Sequence, residues 1–294
     1  EAAKRSYDLK MIGSWFLAST PQDYNTSVPL FPETAKDLGL TYGFNRAKLA
    51  WYTIDEVFYT PSRPSNITAD DISLPYARPI EEQEIRPNKD IPEGQAQKIR
   101  EFNIAYYPSE RGPYNYDTLS SYSAGLNPDG TLRSPETRWG GIMRKLESTD
   151  FEATNIEYIE FWLMDPFIEN PYHSGGKLYF NLGEVSEDIL RDGRKSFENG
   201  LPTSAEVVDV DSTIWGRVPR LQAVVNAFSN DPEAREYQDV GYDGLSSNDE
   251  ANYHQQFLQK IQNQVEQQTY NKIAQDPSAD DFVYFRSLDY DQND

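Results

Sequence analysis

The chain has 294 residues, a formal net charge of −21 and 37% hydrophobic residues, with 20 Tyr, 14 Phe and 5 Trp but no Cys. The acidic balance argues against nucleic acid or an anionic membrane surface as partner, because phosphate binding needs clustered Lys and Arg that release counterions. Without Cys there are no disulfides, thiolate metal sites or cysteine nucleophiles, and His173 and His254 form no pair at metal-ligand spacing.

No run approaches the ~18 apolar residues that a transmembrane helix needs, and the first residues do not read as a signal peptide. Residues 7–19 are a short apolar segment closed by Pro21, which predicts a strand or extended stretch. Residues 44–54 alternate, with Leu49, Trp51 and Thr53 on one face and Ala50, Tyr52 and Ile54 on the other, a strand signal. Residues 61–97 are a connector rich in Pro, Asp and Glu, in which 81–84 could form a brief helix. A further strand is predicted where Phe102, Ile104 and Tyr106 alternate with Asn103, Ala105 and Tyr107, ended by Pro108. Residues 109–138 form a long loop with a tight turn at Asn127-Pro128-Asp129-Gly130. Residues 139–146 return as a strand whose Gly140-Gly141 pair suggests a bulge.

The densest run of strand formers lies at 156–183. Ile156, Tyr158, Trp162 and Met164 share one face with Glu160, while Ile159, Phe161 and Leu163 share the other with Glu157. Both faces are apolar, which predicts a strand sandwiched between layers. Asp165-Pro166 ends it, and a half-buried strand resumes at Lys177 with Leu178, Phe180 and Leu182 on its apolar side. Strands separated by long connections predict a mainly β fold: a jelly-roll-like antiparallel β-sandwich with long loops and a few helices, the longest near the C-terminus. The expected division is 1–98, a β-containing segment with its acidic linker; 99–202, the sandwich; and 203–294, a helical region.

After Gly183 the period changes and Ser186 precedes a short helix start; in the last region Leu221, Val224, Val225 and Phe228 give residues 219–228 an amphipathic helical period. Residues 249–274, capped by Asn248, predict the longest helix. Its stripe of Tyr253, Phe257, Ile261 and Val265 is narrow, so few contacts within the chain are expected to hold it, and it reads as an interaction element. Residues 282–288 predict a last strand.

Chemistry-bearing patterns are sparse. The 48 Asp and Glu place carboxylates near one another without need of a function. Asp209, Asp211, Asp239 and Asp243 offer calcium-type oxygen ligands but lack the loop spacing of an EF-hand, so solvated acidic loop is the expected state. Both histidines are expected on a loop or helix surface. The glycines at 140–141 and 175–176 precede strands, whereas a phosphate loop follows one and opens a helix. No catalytic residue, cofactor or metal site is therefore assigned. The aromatics that could stack on a partner protein or a glycan are Tyr107, Tyr114, Tyr116 and Tyr122 around the long loop, with Tyr253 and Phe257 on the last helix.

The runs NIEYIEFWLMDPF, GGKLYFNLGEVSEDILRDGRKSFENGLP, AYYPSERGPYNY and WGGIMRKLE resemble the N-terminal-type domain of the SprA/Sov family. The likeness continues at NRAKLAWYTID, VPRLQAVVNAF and QDVGYDGL and so touches most of the chain. That family comprises the very large outer-membrane translocon subunits of the type IX secretion system of Bacteroidota, linked to gliding motility. The resemblance implies a fragment of such a protein, in a soluble region at the cell surface or periplasmic face of the barrel. It implies a non-enzymatic structural role, with other parts of the translocon, pore-closing and gating subunits and secreted cargo as partners. The alternative reading is a carbohydrate-binding β-sandwich that recognises a surface glycan.

Overall fold

The computed structural model describes residues 7–21, 31–34, 39–94, 97–148, 150–153, 156–194, 209–220, 231–238 and 241–281. Its strands are β1 (Phe16–Leu17), β2 (Lys48–Tyr52), β3 (Ile80–Glu81), β4 (Lys98–Ile99), β5 (Asn103–Tyr107), β6 (Ile142–Met143), β7 (Val210–Ser212) and β8 (Arg217–Pro219). They pair as β1–β6, β2–β5, β3–β4 and β7–β8, all antiparallel, in four separate two-stranded sheets. The helices are α1 (Glu82–Ile85), α2 (Pro232–Gln238), α3 (Ser247–Tyr253), α4 (Gln255–Ile261) and α5 (Gln267–Gln275).

The jelly-roll expectation is therefore corrected: among the described residues strand is 12% and helix 23%, and no two sheets face one another across a core of strands. Two of the expected strands do form the longest ladder. In β2–β5, Leu49 lies opposite Tyr106 and Trp51 opposite Ile104, and β2 alternates between exposed and half-buried positions as its sequence period requires. The brief helix at α1 also forms, closed by a capping box between Glu81 and Glu84.

Loops, rather than sheets, build the interior. The long loop at 109–138 crosses back on itself through Leu132 N–H to the Ser109 carbonyl (2.8 Å), Arg133 N–H to Gly125 (3.0 Å) and Asn127 N–H to Thr131 (2.8 Å). The expected turn is present, with Gly130 at φ 84° donating to the Asn127 carbonyl. Tyr114, Tyr116, Leu126 and Leu132 of this loop are buried with Tyr42, Phe44, Ile189, Leu190 and Trp215, and with Phe257, Leu258, Ile261, Val265 and Ile273 of the helical region. That single cluster takes residues from each of the three expected segments. A loop so buried must satisfy its polar groups internally. Arg138 and Asp117, both with fully buried side chains, pair at 2.7 Å, and Asp117 also accepts from Ser123 Oγ. Arg46 donates to the Ile189 carbonyl (2.9 Å) and lies 4.6 Å from the Trp139 ring centroid.

Residues 249–274 are not one helix. His254, at φ −98° and ψ 25°, separates α3 from α4, and residues 262–266 turn the chain before α5. The cap is Ser246, whose side chain accepts from Asp249 N–H, and not Asn248. Breaking the helix lets Phe257, Leu258, Ile261, Val265 and Ile273 all reach one core, which a stripe drifting around a straight helix could not do. Glu266 N–H, at the head of α5, is tied to the Pro128 carbonyl at 2.8 Å. The helical region thus belongs to the interior.

The opposite correction falls on 156–183. Neither stretch is assigned as a strand, and among the described residues no backbone ladder joins them. Tyr158 is 77% exposed and Trp162 76%, on one face; Phe161 and Leu163 are exposed on the other. The two stretches touch at Phe161 and Phe180, ring centroids 5.5 Å apart. A sandwich needs a layer against each face, and the described residues supply neither. Ser186 starts no helix, although Ile189 and Leu190 just beyond it are core residues. The expected helix at 219–228 and strand at 282–288 lie essentially outside the described residues, and Pro219 itself ends β8.

Candidate functional site

The densest polar cluster in the interior forms where the long loop, the turn before α3 and the turn after α5 converge. Asp243, Glu250 and Asp280 each direct one carboxylate oxygen to a point where all three lie within 4.8 Å of one another. Backbone geometry places them. Gly241, at φ 53°, brings the turn so close to Asp280 that a Cβ there would lie 2.4 Å from its carboxyl carbon, so glycine is the residue that fits. Asp280 in turn accepts from Tyr242 N–H (2.6 Å) and Asp243 N–H (3.3 Å). Asp243 accepts from Leu245 N–H at 2.9 Å, and its own carbonyl accepts from Arg217 N–H at 2.7 Å, which ties β8 to the site.

Ser278 links the carboxylates to the aromatic core. Its N–H donates to Glu250 (3.0 Å), its hydroxyl donates to Asp243 (2.5 Å), and that same Oγ lies 2.8 Å from Tyr116 Oη. Tyr116 Oη also lies 2.9 Å from His254 Nε2, and the two rings stack with centroids 4.2 Å apart. His254 Nε2 is 3.5 Å from the nearer Asp243 oxygen. His254 is 2% exposed, against the expectation of a surface histidine. The break between α3 and α4 turns its ring inward, where Tyr116 covers it. His173 does sit exposed on its loop, stacked on Phe167 and accepting from Gly175 N–H.

Burial governs the electrostatics. Desolvation first, then the charge of Asp243, pushes the Glu250 carboxyl up to about 8. Desolvation, then Asp243 and Glu250, pushes Asp280 up to about 9. Burial followed by Asp243 also holds the Tyr116 phenol well above its ordinary value. Protons on Glu250 and Asp280 therefore relieve the repulsion at neutral pH. Three carboxylates at this separation could instead hold one hard cation through oxygen, with Asp243, Glu250 and Asp280 as the ligands. Binding it would require displacing those protons.

The three described calcium-type residues read from the sequence do not form one site, and Asp239 lies outside the described residues. Asp209 and Asp211 pair with Arg220 at 2.9 and 2.8 Å, and Asp211 also pairs with Arg194. Of the three, Asp243 reaches the cluster. The six aromatics expected to contact a partner or glycan divide. Tyr114, Tyr116 and Phe257 are core residues, each under 4% exposed, so they present no ring to a partner. Tyr114 packs edge-on against Trp215 and Tyr242, and Phe257 edge-on against Tyr116 with the Arg111 guanidinium 5.0 Å from its centroid. Tyr122 is half-buried and its carbonyl accepts from Asn45 Nδ2. Tyr107 is exposed beside Lys48, and Tyr253 is 40% exposed with its hydroxyl donating to the Thr213 carbonyl.

Glu250, His254, Ser278 and Asp280 were not legible as a site. None of the four lies in a run that carries the family resemblance, although QDVGYDGL carries their neighbours Gly241 and Asp243, and AYYPSERGPYNY carries Tyr116. No protein-family model matches this chain, and no curated protein matches it.

Proposed function

We propose that the chain is a non-enzymatic structural and interaction segment of a larger assembly, of the kind its motifs resemble: the outer-membrane translocon of type IX secretion. The observation that carries this reading is the exposed apolar arm at 156–183, with Tyr158, Trp162 and Tyr172 at 77%, 76% and 95% exposure. Contiguous exposed apolar surface of this kind marks an interaction site. The acid cluster fits a structural role, because hydrogen bonds to its carboxylates fasten the turn at 241–245 and the turn at 276–281 to α3.

No described helix is long and apolar enough to cross a membrane. In this reading the chain accompanies a membrane-spanning barrel, and its partners are other parts of the translocon, its gating subunits and its cargo. The glycan-binding alternative has lost the sandwich on which it rested and three of its six aromatics, now interior. Sequencing the complete reading frame tests the proposal. Flanking amphipathic antiparallel strands of about 10 residues each are expected, and a reading frame that closes a few residues beyond this chain would overturn it.

A further inference from the structure

We infer that residues 156–183 are an acidic, aromatic strand-donating arm that docks on a protein strand edge of apolar residues interleaved with Lys or Arg. The inference rests on the interaction role proposed above and adds the chemistry of the occupant. Three observations combine. First, residues 157–164 and 177–182 carry no helix, turn or bend, and among the described residues their backbone N–H and C=O groups make no hydrogen bond. Such a row is completed by another strand, which supplies the missing ladder. Second, the side chains alternate, so a strand laid beside Phe161 and Trp162 gains apolar contact on both faces at once.

Third, the charges select the partner. Glu157, Glu160, Asp165 and Glu169 stand on the arm against Lys177, and among the described residues none of these carboxylates has an ion pair. Glu157 and Glu160 lie on opposite faces of one stretch, so cations on the facing strand are favoured whichever face it covers. A second copy is disfavoured on the same ground, since it would bring two chains of net charge −21 together with Glu157 and Glu160 facing their counterparts. An anionic bilayer meets the same repulsion.

The test uses the whole 294-residue chain and two labelled peptides of about 10 residues, one alternating valine with lysine and one alternating valine with glutamate. The lysine peptide is expected to bind and to slow hydrogen exchange at 157–164 and 178–182. The glutamate peptide should bind at least about tenfold more weakly. Phe161→Ser with Trp162→Ser should weaken the lysine peptide by about 30-fold or more, while the far-ultraviolet spectrum stays unchanged because both residues are exposed. Glu157→Lys with Glu160→Lys should invert the preference between the peptides. Equal binding of the lysine peptide to the double-serine variant would mean general attraction to an acidic protein and would overturn the inference. So would a chain that dimerises through these residues in sedimentation, or one that binds phosphatidylcholine vesicles in place of either peptide. None of these outcomes bears on the reading-frame test, so the two proposals fail separately.

Discussion

The arm at 156–183 and the helical region at 246–281 use apolar residues in opposite ways. The arm carries Tyr158, Phe161 and Trp162 close together, with Phe180 on its second stretch, and leaves them at 53–77% exposure. The helical region is dominated by Gln, Asn and charged residues, yet its few apolar side chains are nearly all inside, with Ile261 at 0% and Phe257 at 3%. What separates them is the availability of partners. The long loop offers Tyr116, Leu126 and Leu132 to the helices, whereas the ring contacts of the arm among the described residues, Phe161–Phe180 and Phe167–His173, lie within the arm itself. Local hydrophobicity sets how much a segment would gain from burial, and the rest of the fold decides whether it is buried.

The contrast is tested most severely inside the loop that makes the helical core possible. Asp117→Ala leaves the Arg138 guanidinium buried without its carboxylate and is expected to cost about 3–5 kcal/mol in denaturant unfolding. Ile261→Ala is expected to cost about 2–5 kcal/mol, because the side chain is fully enclosed and deletion leaves a cavity. Either variant unfolding at the native midpoint would mean that the loop–helix core is not what holds the chain together.

A more graded effect comes from pH. Glu250 and Asp280 have folded values near 8 and 9, above ordinary values of 4.5 and 3.8, because burial and the neighbouring Asp243 disfavour their charged forms. The unfolded chain releases these protons first, so their stabilisation is fully present below about pH 4 and is lost progressively as pH rises through about 9. Thermal unfolding followed from pH 5 to 9 should show a falling midpoint, and Glu250→Gln should flatten the slope. A slope that Glu250→Gln leaves unchanged would remove the cluster from the account. In calorimetry at pH 7, calcium is expected to show no stoichiometric micromolar binding, because it would have to displace the protons that burial keeps on Glu250 and Asp280.

The smallest expected effect is on the arm. Trp162→Ala should change stability by no more than about 0.5 kcal/mol, as for other exposed substitutions. A cost approaching that of Ile261→Ala would show the arm packed within the chain and would dissolve the contrast. Hydrogen exchange gives the same comparison without substitution: amides of α4 should be slow, and those of 157–164 fast.

Short-range physics was legible in the residues themselves. Alternation placed β2 and β5 but not their pairing, the run Glu81 to Glu84 offered the brief helix α1, and Asn127 to Gly130 placed its turn, since each of these depends on neighbours a few positions away. Composition likewise established the acidic character and the absence of cysteine chemistry. Three things were decided only by tertiary structure. The arm's two apolar faces match a buried strand, but no local signal reports whether a layer exists to cover them. The broken helix depends on Tyr116 receiving His254, two residues 138 positions apart. The acid cluster joins Asp243, Glu250 and Asp280 through Ser278, and their carboxyls change character only once chain closure removes water from around them, because desolvation is a property of the enclosing fold and not of the residue.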